Sequence, residues 1–442
     1  MGAGKTTVGA EVARRLERPF VDVDDEVERA HGPIWELFAE QGETAFRELE
    51  ARFVHEVAAR HTPSVIAVGG GAVETRDLLD DLDVLTVHLD VDVETCWARV
   101  QGSRRPLAQD ETDFRERYER RRPLYAQAAD ATAHDADGVI LAAGAVTRSL
   151  SVDSPCELVA DERVLELHPV PVEALAVHTV PAGEAAKSSE TAERLWQELR
   201  LDRGGTLVAF GGGCATDVAG FVAATFLRGI DWIAVPTTLV GQVDAAIGGK
   251  TGINLGSGKN LVGAFHWPRQ TVLDNTYLAT LPAAERRAGM AEVVKTGLLA
   301  GEPLWELDEA EMVRRCAAYK TALCLRDPFD HGPRQALNLG HTFAHALEAA
   351  SGYGLAHGEA VALGLLAALR LSGLPTDDVE AILAPEPVRL DRERAWAALG
   401  RDKKASGGRP RLVLLERPGH PIVGAELPDE QVREALDALI AR

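Results

Sequence analysis

Lysine is scarce in this chain of 442 residues. Of 47 basic residues only eight are lysines: Lys5, Lys187, Lys250, Lys259, Lys295, Lys320, Lys403 and Lys404. Net positive charge is absent altogether. A formal charge of -21 leaves no room for a dominant basic face, which excludes non-specific binding to nucleic acid or to an anionic membrane; local pockets for small phosphates stay compatible with it. No run of roughly 18 apolar residues occurs, the length needed to span a bilayer, so no transmembrane helix is expected. The five cysteines (Cys96, Cys156, Cys214, Cys316, Cys324) are odd in number, scattered and without C-x-x-C spacing. That excludes a disulfide framework and reads as reduced thiols. The N-terminus lacks the pattern of a signal peptide, and neither internal repeats nor low-complexity segments appear. The expected compartment is the cytoplasm.

What remains is the composition of a globular enzyme-sized chain, with 46% hydrophobic and 26% charged residues, long enough for two to three domains. Residues 1–146 alternate short apolar strands (Pro19–Val23, Ser64–Val68, Val84–Leu89) with helical stretches (Thr6–Leu16, Thr44–Arg60, Val93–Gln101, Asp113–Ala129), the signature of a parallel α/β sheet. The text loosens around Ala143–Glu157, which marks a domain boundary. Residues 147–277 alternate strands (Leu175–Val180, Thr206–Phe210, Trp232–Val235, Gln270–Leu273) with Gly-rich turns. After Leu278 strand signals nearly vanish, so 278–442 reads as an all-helical part.

The lysines sit in unusual places. Lys5 lies in GAGKTT, Lys187 in GEAAK, Lys250 in GGKTGIN, Lys259 in GKN, Lys295 in AEVVK, and Lys403 with Lys404 in RDKK. A lysine kept against such a bias toward arginine marks a position that needs a compact ammonium. The histidines cluster too. LNLGHTFAHALEAASGYGLAHGEA holds His341, His345 and His357; the first two share one helical face, as do Glu292 and Lys295 upstream. Two imidazoles with a carboxylate form a divalent-metal set with a coordination position left for substrate.

At the N-terminus, GAGKTT is the back half of the phosphate-loop pattern G-x-x-x-x-G-K-[ST]. In it, backbone N–H groups from Gly2 to Thr7 cradle phosphates, Lys5 reaches the β/γ oxygens and Thr6 serves Mg²⁺. VDVDD brings Asp22 and Asp24 to a strand end, and VGGGAV (Gly69–Gly71) is a strand followed by a turn open to a ligand. Arg47 in AFRELE, Arg105 in RRPL and Arg121 in RRRPLY supply cations. In this order the motifs resemble shikimate kinase across roughly residues 1–135. The resemblance implies that Asp24, Arg47, Gly70 and Arg121 hold shikimate, that Arg105 is a lid arginine, and that Gly2, Gly4, Lys5, Thr6 and Thr7 serve Mg-ATP. The sequence opens inside the loop pattern, so the first loop glycine and its strand are expected upstream of Met1; a kinase half serving only as a binding module is the alternative.

Further on, Gly211, Gly212 and Gly213 follow a strand and admit a pyrophosphate to a helix N-terminus, with Asp217, Thr237 and Thr238 as polar groups for a dinucleotide. From about residue 181, GEAAK, FGGGCATDVAGFVAA, VPTTLVGQVDAAIGGKTGINLGSGKNLVGAF, AEVVK, LNLGHTFAHALE and AHGEA resemble 3-dehydroquinate synthase, in order and at consistent spacing. That resemblance implies resident NAD⁺, with Glu184, Lys187, Lys250 and Lys259 also on the cofactor side. It implies Zn²⁺ or Co²⁺ on Glu292, His341 and His357, and conversion of 3-deoxy-D-arabino-heptulosonate 7-phosphate to 3-dehydroquinate and phosphate. Lys250, Asn260, Arg228, His345 and one of Lys403 and Lys404 match the phosphate-binding positions, with Arg228 supplied across a homodimer interface. Lys295, Lys320, Arg334 and Asn338 match those for carboxylate and hydroxyls, and Asp244 a substrate-contacting acid. Three departures stand out: Ala245-Ala246 replaces Ser-Ser, Asp330 replaces Glu, and the segment from Cys156 to Gly183 has about half its usual length. The last implies loss of the βα unit that grips the adenosine ribose. Other sugar-phosphate cyclases, acting on glucose 6-phosphate or sedoheptulose 7-phosphate, are the nearest alternative; the Arg334–Asn338 pair argues against them.

Overall fold

The structure, a computed structural model, describes residues 1–442 except 76–77, 80–81, 104–105, 257, 406–409 and 442, and except the side chains of 401–405. The chain divides into two compact units, Met1–Gly144 and Ala145–Arg442.

In the first unit, helix Lys5–Leu16 leads to β1 (Phe20–Asp22), which pairs in parallel with β2 (Val65–Ala67). A second parallel pair joins β3 (Val87–Leu89) to β4 (Ala131–Ala133). Each pair is connected through helices, which is how parallel neighbours must be joined. The long connection Ile34–Ala58 starts ten residues before the expected Thr44 and is broken at Gly42, where φ is 84° and ψ is 173°. Instead of one continuous sheet, the described residues form two separate pairs. β2 and β3 both line a cavity of about 900 Å³, which also takes in the loop from Gly2 to Thr7.

The second unit is built on a six-stranded parallel sheet: β5 (Val146–Thr147), β6 (Cys156–Asp161), β7 (Val177–Val180), β8 (Thr206–Gly211), β9 (Asp231–Pro236), and, after an antiparallel hairpin of β10 (Lys250–Leu255) and β11 (Gly258–Phe265), β12 (Gln270–Val272). The spatial order is β5-β12-β9-β8-β6-β7. β6 and β8 are wholly buried, as expected of central strands with both faces covered.

Two expectations are corrected here. The shortened segment after Cys156 does not lack a βα unit: β6, helix Glu162–Leu167 and β7 form one. CELVAD was hard to read as a central strand because it carries Glu157. That carboxylate is nonetheless buried, 2.6 Å from His178 Nε2 and accepting from the Arg200 backbone N–H at 3.0 Å. Nor is the last part all helical. β13 (Leu412–Arg417) and β14 (His420–Ala425) form an antiparallel hairpin across a Pro-Gly turn. Leu412–Leu415 join the core made by helices Ala283–Ala300, His341–Ala350 and His357–Leu371.

Helix Ala283–Ala300 is buried at every position from Ala291 to Leu299, so its polar residues face protein on all sides. Helix His357–Leu371 reaches it because residue 358 is glycine: a Cβ there would lie 2.2 Å from Ala288 Cα. No helix among the described residues is long and apolar enough to cross a membrane. Gly358→Ala is therefore expected to cost about 1–3 kcal/mol through overpacking, measured by urea unfolding. Gly400→Ala, with no described atom within 4 Å of the new methyl, should be neutral or stabilise by up to about 1 kcal/mol through helix propensity. Equal effects at the two positions would refute this packing account.

Candidate active sites

Three helices converge at Glu292. Its side chain is completely buried on helix Ala283–Ala300, and its Oε1 lies 3.5 Å from His341 Nε2 and 3.2 Å from His357 Nε2. One donor atom from each of the three falls within 4.8 Å of the others. His341 Nδ1 is 3.2 Å from the Leu339 carbonyl, so with that nitrogen protonated the Nε2 lone pair points to the shared centre. Two imidazoles and one carboxylate, a hard-to-borderline donor set, fit a divalent ion with room for a further ligand. Burial works against charge on Glu292, but Lys295 and His341 outweigh it and hold the carboxyl well below the usual range. Burial likewise opposes a charged His357, while Glu292 and Glu348 hold its proton up to about 10.

The buried lysines surround this set. Lys295, one turn after Glu292, sits 2.5 Å from its Oε2 and 3.8 Å from Asp244 Oδ1. Lys320 donates to Asp244 at both Oδ1 (2.7 Å) and the backbone carbonyl (2.6 Å). Burial would raise the Asp244 carboxyl; the two ammonium groups prevail and lower it. Arg334 is buried against the turn before β10, donating to the carbonyls of Gly248 (2.8 Å) and Pro328 (3.0 Å), while its Nε has no hydrogen-bond partner among the described residues. Lys250 pairs with Asp330 at 2.5 Å, so the shorter acid still reaches it. His345 packs edge-on to His341 at 5.5 Å. Asn338 is exposed. Arg228, exposed and with a left-handed backbone (φ 70°), makes no ion pair among the described residues. The side chains of Lys403 and Lys404 and all of Arg105 lie outside the described residues.

At the carboxyl ends of β6 and β8 the chain reverses its direction of growth through the sheet, and a crevice at such a switch point is where open α/β sheets bind ligands. Gly211 and Gly212 allow close approach: a Cβ on Gly211 would meet Asp161 Cβ at 2.9 Å, and one on Gly212 would meet Thr238 Cγ2 at 3.0 Å. Helix Gly213–Thr225 begins there, with Thr237 donating its backbone N–H to the Gly211 carbonyl at 2.9 Å. Asp161 was not foreseen as a site residue. It ends β6 beside the glycine turn, and its signal was the acid closing the strand CELVAD. Lys187 is buried and bound to Asp217 and Asn260, so its charge is neutralised within the protein. Lys259 Nζ bridges Glu184 (3.2 Å) and Glu348 (3.5 Å).

In the first unit the GAGKTT segment turns directly into a helix N-terminus. Gly4, with φ 91°, precedes helix Lys5–Leu16. Lys5 Nζ contacts Asp22 (3.1 Å) and Asp24 (3.0 Å), and Thr6 Oγ1 donates to Asp22 at 2.5 Å. Arg99, unforeseen, donates to the carbonyls of Gly2 and Ala3. Gly2 to Thr7, Asp24, Gly70 and Arg121 all line the one cavity. The two expected substrate arginines hold carboxylates already: Arg47 binds Glu50 at 2.5 Å and Glu43 at 3.0 Å, and buried Arg121 binds Glu74 at 2.5 Å. Although burial opposes it, Arg121 and Arg120 pull the Glu74 carboxyl down to about 2. Tyr125 Oη donates to the Gly70 carbonyl at 2.5 Å.

Residues 1–148 match the family described as shikimate kinase, 177–288 that of 3-dehydroquinate synthase N-terminal, and 289–405 that of 3-dehydroquinate synthase C-terminal. The 3-dehydroquinate synthase of Opitutus terrae is 45% identical over 285 residues, which is 58% of this chain and 79% of that protein. That of Gloeobacter violaceus is 42% identical over 329 residues, 67% of this chain and 91% of that one. Among solved structures, 2-epi-5-epi-valiolone synthase from Streptomyces hygroscopicus, with NAD⁺ and Zn²⁺ bound, superposes with a TM-score of 0.59 at 25% identity, covering 67% of this chain and 91% of that chain. A 2-deoxy-scyllo-inosose synthase complexed with carbaglucose-6-phosphate, NAD⁺ and Co²⁺ superposes at 0.57 with 26% identity, covering 64% and 90%. Set against the converging Glu292, His341 and His357 and the phosphate loop at Lys5, these likenesses make the chain a member of the 3-dehydroquinate synthase family with a shikimate kinase domain ahead of it, a bifunctional enzyme of aromatic amino acid biosynthesis.

Proposed function

We propose that the synthase reaction takes place where the carboxyl edge of the six-stranded sheet meets the buried helices, with Zn²⁺ or Co²⁺ on Glu292, His341 and His357 and NAD⁺ in the crevice between β6 and β8. When bound, the metal supplies Lewis acidity to neighbouring hydroxyls and NAD⁺ accepts and returns one hydride. Asp161, at the end of β6, accepts from the adenosine ribose, and the start of helix Gly213–Thr225 faces the pyrophosphate. Thr237 and Thr238 complete the polar lining. Lys250, Arg228 and Lys403 or Lys404 counter the charge of the substrate phosphate, and Asn260 and His345 hydrogen-bond it. Lys295, Lys320, Arg334 and Asn338 hold its carboxylate and hydroxyls, with Asp244 keeping the lysines oriented. The carrying observation is the buried ring of opposite charges around Glu292: positions preset before the substrate arrives need no reorganisation during the reaction. Dehydroquinate synthases at 42–45% identity, against 25–26% for the two cyclases above, favour this substrate over other sugar phosphates.

In the kinase half, Lys5 and the loop N–H groups hold the ATP phosphates and Thr6 serves Mg²⁺. Asp24, Arg47, Gly70 and Arg121 hold shikimate; the lid role that the resemblance implies for Arg105 falls outside the described residues. Glu74 and Glu50 stand in for a substrate carboxylate on buried Arg121 and part-buried Arg47, keeping cations paired until shikimate competes for them. We place the enzyme in the cytoplasm as a homodimer through the synthase half, where the exposed Arg228 reaches the partner's phosphate site.

His341→Ala should lose bound metal and synthase activity together while shikimate phosphorylation persists, and Lys5→Ala should lower phosphorylation by several orders of magnitude with synthase turnover intact. Metal content and the two coupled assays decide it. A His341→Ala protein with full metal occupancy contradicts the ligand assignment.

The dimer proposal has its own test. Arg228→Ala and His341→Ala chains are each expected to be inactive as synthases, yet an equimolar mixture should regain about a quarter of parent activity, because half of the dimers are mixed and each mixed dimer holds one complete site. No recovery after subunit exchange would mean that Arg228 serves its own chain.

A further inference from the structure

We infer that Glu348 is a positioning residue of the metal set, acting through His357. The inference rests on the metal reading above and assigns a residue to which neither the motifs nor the comparisons give a role.

A neutral imidazole can carry its proton on either ring nitrogen, and only the ring protonated away from the metal is a ligand. For His341 the backbone settles this, since Leu339 offers its carbonyl to Nδ1. Among the described residues His357 has no such carbonyl partner. Its Nδ1 faces Glu348 Oε1 at 3.6 Å while its Nε2 faces Glu292 at 3.2 Å. Glu348 sits on helix His341–Ala350, the same helix that begins with His341, and only 4% of its side chain is exposed. A carboxylate buried to that degree needs compensation. Lys259 supplies it from β11: its Nζ lies 3.5 Å from Glu348 Oε1, 3.2 Å from Glu184 Oε1, and 5.2 Å from the centre of the Tyr353 ring.

The arrangement forms a connected row. Glu184, beside the nucleotide crevice, holds Lys259; Lys259 holds Glu348; and Glu348 Oε1 faces His357 Nδ1 at 3.6 Å, where its charge favours a proton on that nitrogen and so leaves Nε2 free for the ion. Carboxylates placed behind metal-binding histidines fix the tautomer and ring orientation. Here the carboxylate also joins the hairpin beside the nucleotide crevice to the helices of the metal set, so one charged side chain registers the two against each other.

The test uses the full chain stripped of metal by chelator and titrated with Co²⁺, read by visible absorption, with Zn²⁺ affinity taken from competition. The parent should bind one ion and His341→Ala should not; failure of either control sinks the metal reading itself. Given both, Glu348→Ala should weaken Co²⁺ binding by about 10–100-fold. Glu348→Gln, whose amide oxygen still accepts from Nδ1–H, should lose clearly less. Circular dichroism establishes folding; if Glu348→Ala does not fold, Glu348→Asp takes its place, since it draws the carboxylate back from the ring. Parent-like binding by the alanine or aspartate variant overturns the inference. Equal loss in the glutamine variant overturns it too, because it assigns charge rather than orientation to Glu348.

Discussion

A completely buried glutamate is tolerable only when its charge is met on every side, and Glu292 is such a residue. Lys295 meets it from one turn along the same helix, and His341 and His357 from two further helices. Much of the second unit serves to bring these four together. The helix carrying Glu292 and Lys295 is buried around its whole circumference, and Gly358 lets the helix of His357 approach within backbone contact. Asp244, arriving on the segment after β9, ties Lys295 and Lys320 to the sheet. The charges are mutually paired and desolvated, so the site holds its shape through electrostatics in a low-dielectric setting, where each pair is worth more than at the surface.

The same economy of charge runs through the first unit. Lys5 is held by Asp22 and Asp24, Arg47 by Glu50, and Arg121 by Glu74. These cations are thus kept in place by internal acids.

Much of the site was legible in the sequence because its chemistry is carried by rare residue types. Among the eight lysines of an arginine-rich chain, Lys295 and Lys320 come together with Glu292 and Asp244, and of the three histidines within one stretch His341 and His357 meet Glu292. The strands Thr206–Gly211 and Asp231–Pro236 were equally plain, being apolar runs closed by glycine or proline. What escaped notice was polar sequence made tolerable by distant partners. β6 was obscured by Glu157, whose carboxylate is satisfied by His178 and the Arg200 backbone N–H, neither of which is near it in sequence. Glu348 and Arg99 escaped for the same reason: each looks like an ordinary surface residue until the element opposite it is known. The hairpin β13–β14 was lost to a helical context, although its Pro-Gly turn was a readable signal.

The most direct test of the account is anomalous diffraction at the zinc edge from crystals of the full chain grown with Zn²⁺. The account predicts one strong peak in the second unit, about 2.0–2.2 Å from a Glu292 carboxylate oxygen and from Nε2 of both His341 and His357. A peak that omits any of these three ligands, or a site that stays without zinc while the metal binds elsewhere, would contradict it.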